Sequence, residues 1–168
     1  MFEFTESILI EAPSDTVWIY LANVEQWWPP SNQEHIRIEV RSENKPVDVG
    51  TEIVFEESVA GIKGRAEGRI TRWISGSEAT WEGIAVYRYM GISFQIREGV
   101  SWRVEAQGET SKLSARVWAE FPPGVFGRFL EWYTKTLLNV VERDREHARR
   151  ELEYLKSSIE NADEHGVN

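Results

Sequence analysis

TEIVFEESVAGIKGRAEGRITRWISGSEATWEGIAVYRY, residues 51–89, decides the fold. Apolar and polar residues alternate along it, and small turn-forming residues interrupt it at Ala60-Gly61 and Ser75-Gly76-Ser77. That is the pattern of half-buried strands joined by tight turns, not of strands alternating with helices. The reading gives strands over 51–60, 63–74 and 78–89. The same pattern extends to both sides, with strands at 35–43, 92–106 and 111–121 and bends at Asn44 to Gly50, Gly91 and Gln107-Gly108-Glu109-Thr110. An antiparallel meander results. On the 63–74 strand Ile62, Gly64, Ala66, Gly68 and Ile70 share one face. Its middle offers almost no side-chain volume, so something large must lie across it.

Outward from the meander, Phe2, Phe4, Ile8 and Ile10 alternate with acids and hydroxyls, which predicts a first strand over residues 2–11. Ala12-Pro13 ends it, and Ser14-Asp15-Thr16 opens a short helix running to about Asn23, with Val17, Trp18 and Leu21 on its buried face. Trp27-Trp28-Pro29-Pro30-Ser31-Asn32 then predicts a rigid, exposed aromatic loop, because two prolines remove two backbone donors. At the other end, Pro122-Pro123-Gly124 stops the last strand. One uninterrupted helix is predicted from Val125 to Ser157, with an apolar stripe through Phe126, Leu130, Tyr133, Leu137, Ala148, Leu152 and Leu155 that is broken at Asp144. This helix is the expected filler over the glycine-rich strand. Residues 1–157 read as one domain, and 158–168 as a frayed tail.

Composition narrows the function. The chain of 168 residues carries 19 Lys and Arg against 28 Asp and Glu, for a formal charge of −9. The bases are scattered, so nucleic acid is excluded as a partner. With no cysteine there is no disulfide, thiol chemistry or thiolate-held metal. No membrane-length apolar run occurs, and the first eleven residues hold acids where a signal peptide needs bases. A cytoplasmic protein is the expectation. The eight tryptophans predict a ring-lined interior that suits a flat or greasy ligand.

Ala12-Pro13-x-x-x-Val17-Trp18, Trp28-Pro29, Gly50-Thr51, Trp102-Arg103-Val104-Glu105 and Phe121-Pro122-Pro123-Gly124 occur in this order. The set resembles the START-like, or SRPBCC, superfamily, and within it the polyketide cyclase/dehydrase and lipid transport group. The resemblance implies an α+β helix-grip fold. A seven-stranded antiparallel sheet would curve around a long C-terminal helix, with two short helices after the first strand and a deep cavity between sheet and helix. Members bind lipids, sterols, polyketides, quinones or hormones, and a minority are enzymes.

On that basis Trp18, Trp27, Trp28, Phe55, Trp81, Tyr87, Phe94, Trp102, Tyr133, Leu137 and Asp144 are the expected cavity-lining, ligand-binding residues. Glu57, Arg72, Glu82, Arg97, Asp144 and His35 are the ionisable groups that would face the cavity, and they form no recognisable catalytic set. Asp144 either meets a partner there, such as His147 or an Arg, or marks where the helix leaves the sheet. His35, His147 and His165 are far apart in sequence, and His147 with Glu151 reads as an i, i+4 pair on a wet face. No metal or cofactor is therefore predicted. Gly61, Gly64 and Gly68 precede no helix, so no phosphate cradle is formed. The sequence thus points to non-catalytic binding or transport of a hydrophobic small molecule such as a lipid, quinone or polyketide-like compound. Two alternatives stand beside it: a cyclase/dehydratase-type enzyme, and a protein-interaction module using the Trp27 to Pro30 loop. Oligomeric state is not legible.

Overall fold

Alternation along the strands builds one seven-stranded antiparallel sheet in the order β1-β7-β6-β5-β4-β3-β2. The strands are β1 (Phe2–Ile10), β2 (His35–Arg41), β3 (Glu52–Val59), β4 (Ile62–Ile74), β5 (Glu78–Tyr89), β6 (Ile92–Gln107) and β7 (Thr110–Glu120). The helices are α1 (Ser14–Ala22), α2 (Val24–Ser31), α3 (Gly124–Thr136) and α4 (Val140–His165). The computed structural model describes residues 1–41, 47–59, 62–89, 91–136 and 139–165. Among them no helix is long and apolar enough to cross a membrane. Every pair of neighbouring strands is antiparallel, as the meander pattern predicts. With α4 across it, the curved sheet is the helix-grip arrangement.

Two features bend the sheet. Register slips between Ile70 and Arg72, and between His35 and Arg37 on edge strand β2; such bulges increase local twist and re-aim the side chains beside them. Glycines on the inner face let rings lie flat on the sheet. A β-carbon on Gly64 would stand 2.7 Å from Tyr87 Cδ1, and one on Gly68 or Gly83 would stand 2.5 Å from the Trp81 ring. The space on β4 is therefore filled by Tyr87 and Trp81 of the adjacent strand β5, not by the C-terminal helix as expected. Rings on the neighbouring strand reach the gap without crossing the hollow that separates the helix from the sheet.

Helix α4 docks along β1, from the far end of the sequence. Glu6 accepts hydrogen bonds from Arg145 Nη1 at 2.9 Å and Arg149 Nε at 3.0 Å, and Lys156 Nζ donates to the Leu9 carbonyl at 2.7 Å. Its apolar face buries Ala148, Leu152, Leu155 and Ile159. Ile159 is 0% exposed, so the helix continues past the expected stop at Ser157 to His165 instead of fraying. The expected single helix is also divided. Helix α3 ends at Thr136, and Asn139 (φ 50°) stands before α4 in the left-handed region that a right-handed helix cannot contain.

The aromatic loop is a third correction. Residues 24–31 form a helix with Pro29 and Pro30 in its last turn. The fixed proline φ suits helical geometry, and Glu25 and Gln26, four positions earlier, are exposed, so the missing donors cost little. Trp27 and Trp28 are only 3% and 4% exposed. That burial removes the exposed-ring basis for a docking loop at Trp27 to Pro30.

Candidate functional site

A cavity of about 140 Å³ lies between the sheet and α4. At ~30 Å³ per water it has room for roughly five molecules, the size of a cavity that admits a benzene ring and well beyond a packing defect. Of the expected set, Trp28, Phe55, Trp81, Tyr87, Phe94 and Asp144 line it. Others of the predicted set lie outside it. Trp18 packs on Trp73 at 5.0 Å, Trp27 and Trp102 meet edge to face at 5.8 Å within the core, and Tyr133 stacks on Phe129 of α3 at 6.1 Å. Leu137 lies outside the described residues. Of the predicted ionisable groups, Glu57, Asp144 and His35 face the cavity. Arg72 pairs with Glu78 and Arg97 with Glu120, both on the solvent side. Glu82 follows Trp81 on β5 and so points to the opposite face.

The polar groups in the cavity converge. On β3, Ile53 and Phe55 set the inward parity and Glu57 continues it. On β6, Phe94, Ile96, Val100, Trp102 and Val104 are buried, and Glu98 falls in the same series. Tyr87 Oη lies 3.2 Å from Glu57 Oε1 and 3.0 Å from Glu98 Oε2. A phenol has one proton to give, so one carboxyl must remain protonated and donate in return. Burial pushes Glu57 up, and pushes Glu98 and Tyr87 far up; the Glu57 charge adds to Glu98, and the Glu98 charge to Tyr87. Both glutamates keep some accessible surface because they face the hollow itself. Asp144, on α4, is raised to about 8 by burial first and by Glu57 second.

Beside these acids is a histidine pair that sequence distance concealed. Strand β2 opens at His35, before the bulge that precedes Arg37, with that ring turned inward, opposite Glu57 across the strand pair. His35 Nδ1 lies 2.8 Å from the Trp28 carbonyl, which can only accept, so this nitrogen carries a proton and donates. His147 Nδ1 likewise donates to Glu34 Oε2 at 2.9 Å. The two Nε2 atoms then face each other at 3.0 Å, and Glu151 Oε1 stands 3.2 Å from the first and 3.3 Å from the second. Trp28 Nε1 donates to the same oxygen at 2.8 Å. The side chains of His35, Glu151 and His147 are 3%, 9% and 12% exposed, so the pair at 147 and 151 is not on a wet face.

Charge balance follows from this geometry. Burial alone would lower His147, but hydrogen bonding and charge from Glu151, with Glu57 and Glu34, outweigh it and raise it to about 10. Burial alone would raise Glu151, but hydrogen bonds from His147 and His35 hold it at about 2. A proton between the two Nε2 atoms, with the Glu151 carboxylate beside it, therefore keeps the cluster together. The sequence reading missed Glu98 and Glu34, and it placed Glu151 with His147 on a wet face. Glu98 was visible as the one acid in an apolar series on β6, and Glu151 as the residue seven positions after Asp144 on the same helix. Glu34 gave no such sign.

The family model for polyketide cyclase/dehydrase and lipid transport proteins matches residues 1–160. Solved structures share the fold. The Thermus thermophilus protein TTHA0849 superposes with a TM-score of 0.70 at 16% identity, covering 96% of this chain and 99% of that one. The Zhui aromatase/cyclase of a Streptomyces species gives 0.66 at 16% identity, covering 95% and 93%. A START superfamily protein of Mycobacterium smegmatis gives 0.62 at 11% identity, covering 95% and 98%. No functionally curated protein shows significant sequence similarity.

Proposed function

Because the chain belongs to the polyketide cyclase/dehydrase and lipid transport family, a family of ligand-binding domains, we propose that it binds a largely apolar, ring-sized molecule bearing oxygen groups. The observation that carries this reading is the composition of the cavity. Trp28, Phe55, Trp81 and Phe94 supply ring walls, while Glu57, Glu98, Asp144 and Tyr87 supply polar contacts. Removing roughly 200 Å² of ligand apolar surface from water would contribute about 5 kcal/mol at ~25 cal/mol per Å², before the cost of immobilising the ligand. Asp144, raised to about 8 by burial, is mostly protonated near pH 7 and can donate to keto or hydroxyl oxygens, which would orient the ligand.

The test is a panel of apolar rings, phenols, quinones and fatty acids, read by melting temperature and tryptophan fluorescence. A ligand present at a hundredfold its Kd should stabilise the chain by about 2.7 kcal/mol. Oxygenated rings should bind more tightly than their hydrocarbon counterparts, and Tyr87→Phe should narrow that gap. No stabilisation by any member of the panel would end this reading.

One observation favours a second reading, acid–base catalysis of the cyclase/dehydratase type. Asp144, at about 8, would exchange a proton near neutral pH at the wall of the cavity. In loss of water from a β-hydroxyketone, a base removes the α proton while an acid protonates the departing hydroxyl. Formation of the conjugated enone, followed by absorbance and abolished in Asp144→Asn, would establish it. An enone rate unchanged by that substitution would dismiss Asp144 from the chemistry.

A further inference from the structure

We propose that His35, His147 and Glu151 form a binding site for one divalent first-row transition-metal ion, with coordination positions open to the cavity. The three ligand atoms are already placed at the corners of a coordination face. His35 Nε2 and His147 Nε2 are 3.0 Å apart, and Glu151 Oε1 is 3.2 Å and 3.3 Å from them. An ion ~2.1 Å from each, the usual zinc–imidazole and zinc–carboxylate length, would subtend angles of about 90–105° between them. Those angles lie between octahedral and tetrahedral geometry. Ligand softness points the same way, since two imidazoles and one carboxylate suit zinc, iron(II) or cobalt(II) better than calcium or magnesium.

The surroundings supply a second, independent argument. Each imidazole carries its proton on Nδ1, held by the Trp28 carbonyl and by Glu34 Oε2, so the lone pair of each neutral ring lies on Nε2. Metal-bound histidines are oriented in this way by an outer carbonyl and an outer carboxylate. Without an ion, the two lone pairs and the carboxylate would repel, and a proton must occupy the gap. A dication takes the place of that proton. Glu151, His147 and His35 all line the cavity, which leaves the ion's remaining positions facing the space where a small molecule would sit.

The experiment uses the full chain after chelator treatment and gel filtration, with no organic ligand present. Titration with Zn²⁺ by calorimetry should give one site per chain, and Co²⁺ should give visible d–d bands displaced by Zn²⁺. His147→Gln and Glu151→Gln should each weaken Zn²⁺ by at least about 100-fold. Glu34→Gln, which leaves every ligand in place, should weaken it by about 10–100-fold. Circular dichroism and melting curves of each variant identify any that has lost its fold, and Glu34→Gln then carries the test. Zn²⁺ binding weaker than about 100 μM in the native chain would overturn the proposal. So would equal binding by folded Glu151→Gln. Because the readout is metal alone, failure here leaves the reading of the cavity as a small-molecule site intact.

Discussion

Asp144→Asn preserves the shape of the side chain and removes its titration. In the folded chain burial, with the Glu57 charge second, raises Asp144 to about 8 from an ordinary value of 3.8. The unfolded chain gives up that proton near the ordinary value, so between roughly pH 4 and pH 8 the folded state holds one proton more. Stability then falls as pH rises, by at most about 1.4 kcal/mol per unit for a single group. Asp144 borders a hollow that water can enter, and this screening reduces the expected loss to about 1–2 kcal/mol between pH 5 and pH 7. His147 and Glu151 are common to both proteins and cancel in the difference. The contribution of His147, whose value is raised, fades as pH climbs towards about 10, and that of Glu151 fades as pH drops towards about 2. Urea unfolding followed by tryptophan fluorescence, in chelator-containing buffer, should give matching stabilities near pH 4. By pH 7 the Asn variant should be more stable by about 1–3 kcal/mol. A difference that stays constant with pH, or one that favours the native chain as pH rises, would mean that Asp144 is an ionised, partnered carboxylate and would refute the reasoning.

Trp28→Phe should cost about 1–3 kcal/mol, because it strips a donor from the buried Glu151 carboxylate. Trp27→Phe loses only a bond to the Leu21 carbonyl and should cost about 0.5–1.5 kcal/mol beyond ring area; chemical denaturation of both variants ranks them. Gly68→Ala should destabilise more than Gly64→Ala, within about 1–3 kcal/mol. The new β-carbon at position 68 would meet the backbone carbonyl of Glu82, whereas the one at position 64 meets the Tyr87 ring, which can turn. Melting temperatures in the reverse order would contradict this account of the inner face. Ile159→Ala should cost about 2–5 kcal/mol, as expected for a side chain with 0% exposure; a neutral effect in thermal unfolding would show that the end of α4 does not hold the fold.

Period-two alternation from residue 35 to 121 is enough to place the strands within a residue or two, because a half-buried strand writes its pleat into the sequence. Local rules misread what tertiary packing overrides. Pro29 and Pro30 signal a loop, yet a proline pair is tolerated in the last turn of a helix whose rings are buried. Ile159 reads as part of a fraying tail because its neighbours are polar, although one face of the turn is enough to bury it. The site divides in the same way. Phe55, Trp81, Tyr87, Phe94 and Asp144 can be placed because they sit on strands with known parity or on the interrupted stripe of α4, whereas Trp28 lies on a helix read as a loop. The His35–His147 contact joins residues 112 apart and depends on a bulge, and nothing in a linear pattern encodes either.

The first strand of the sheet pairs with the last and is strapped down by α4. On a ribosome, β1 emerges early but can find neither neighbour until more than a hundred further residues have been made, a topology of high contact order. Strands β2 to β6 can zip together as hairpins meanwhile, leaving a twisted sheet with its oily concave side uncovered. The hollow is therefore sealed only after α4 has been made and Ile159 clears the exit tunnel. A nascent chain stalled before that point should be the form that chaperones recognise.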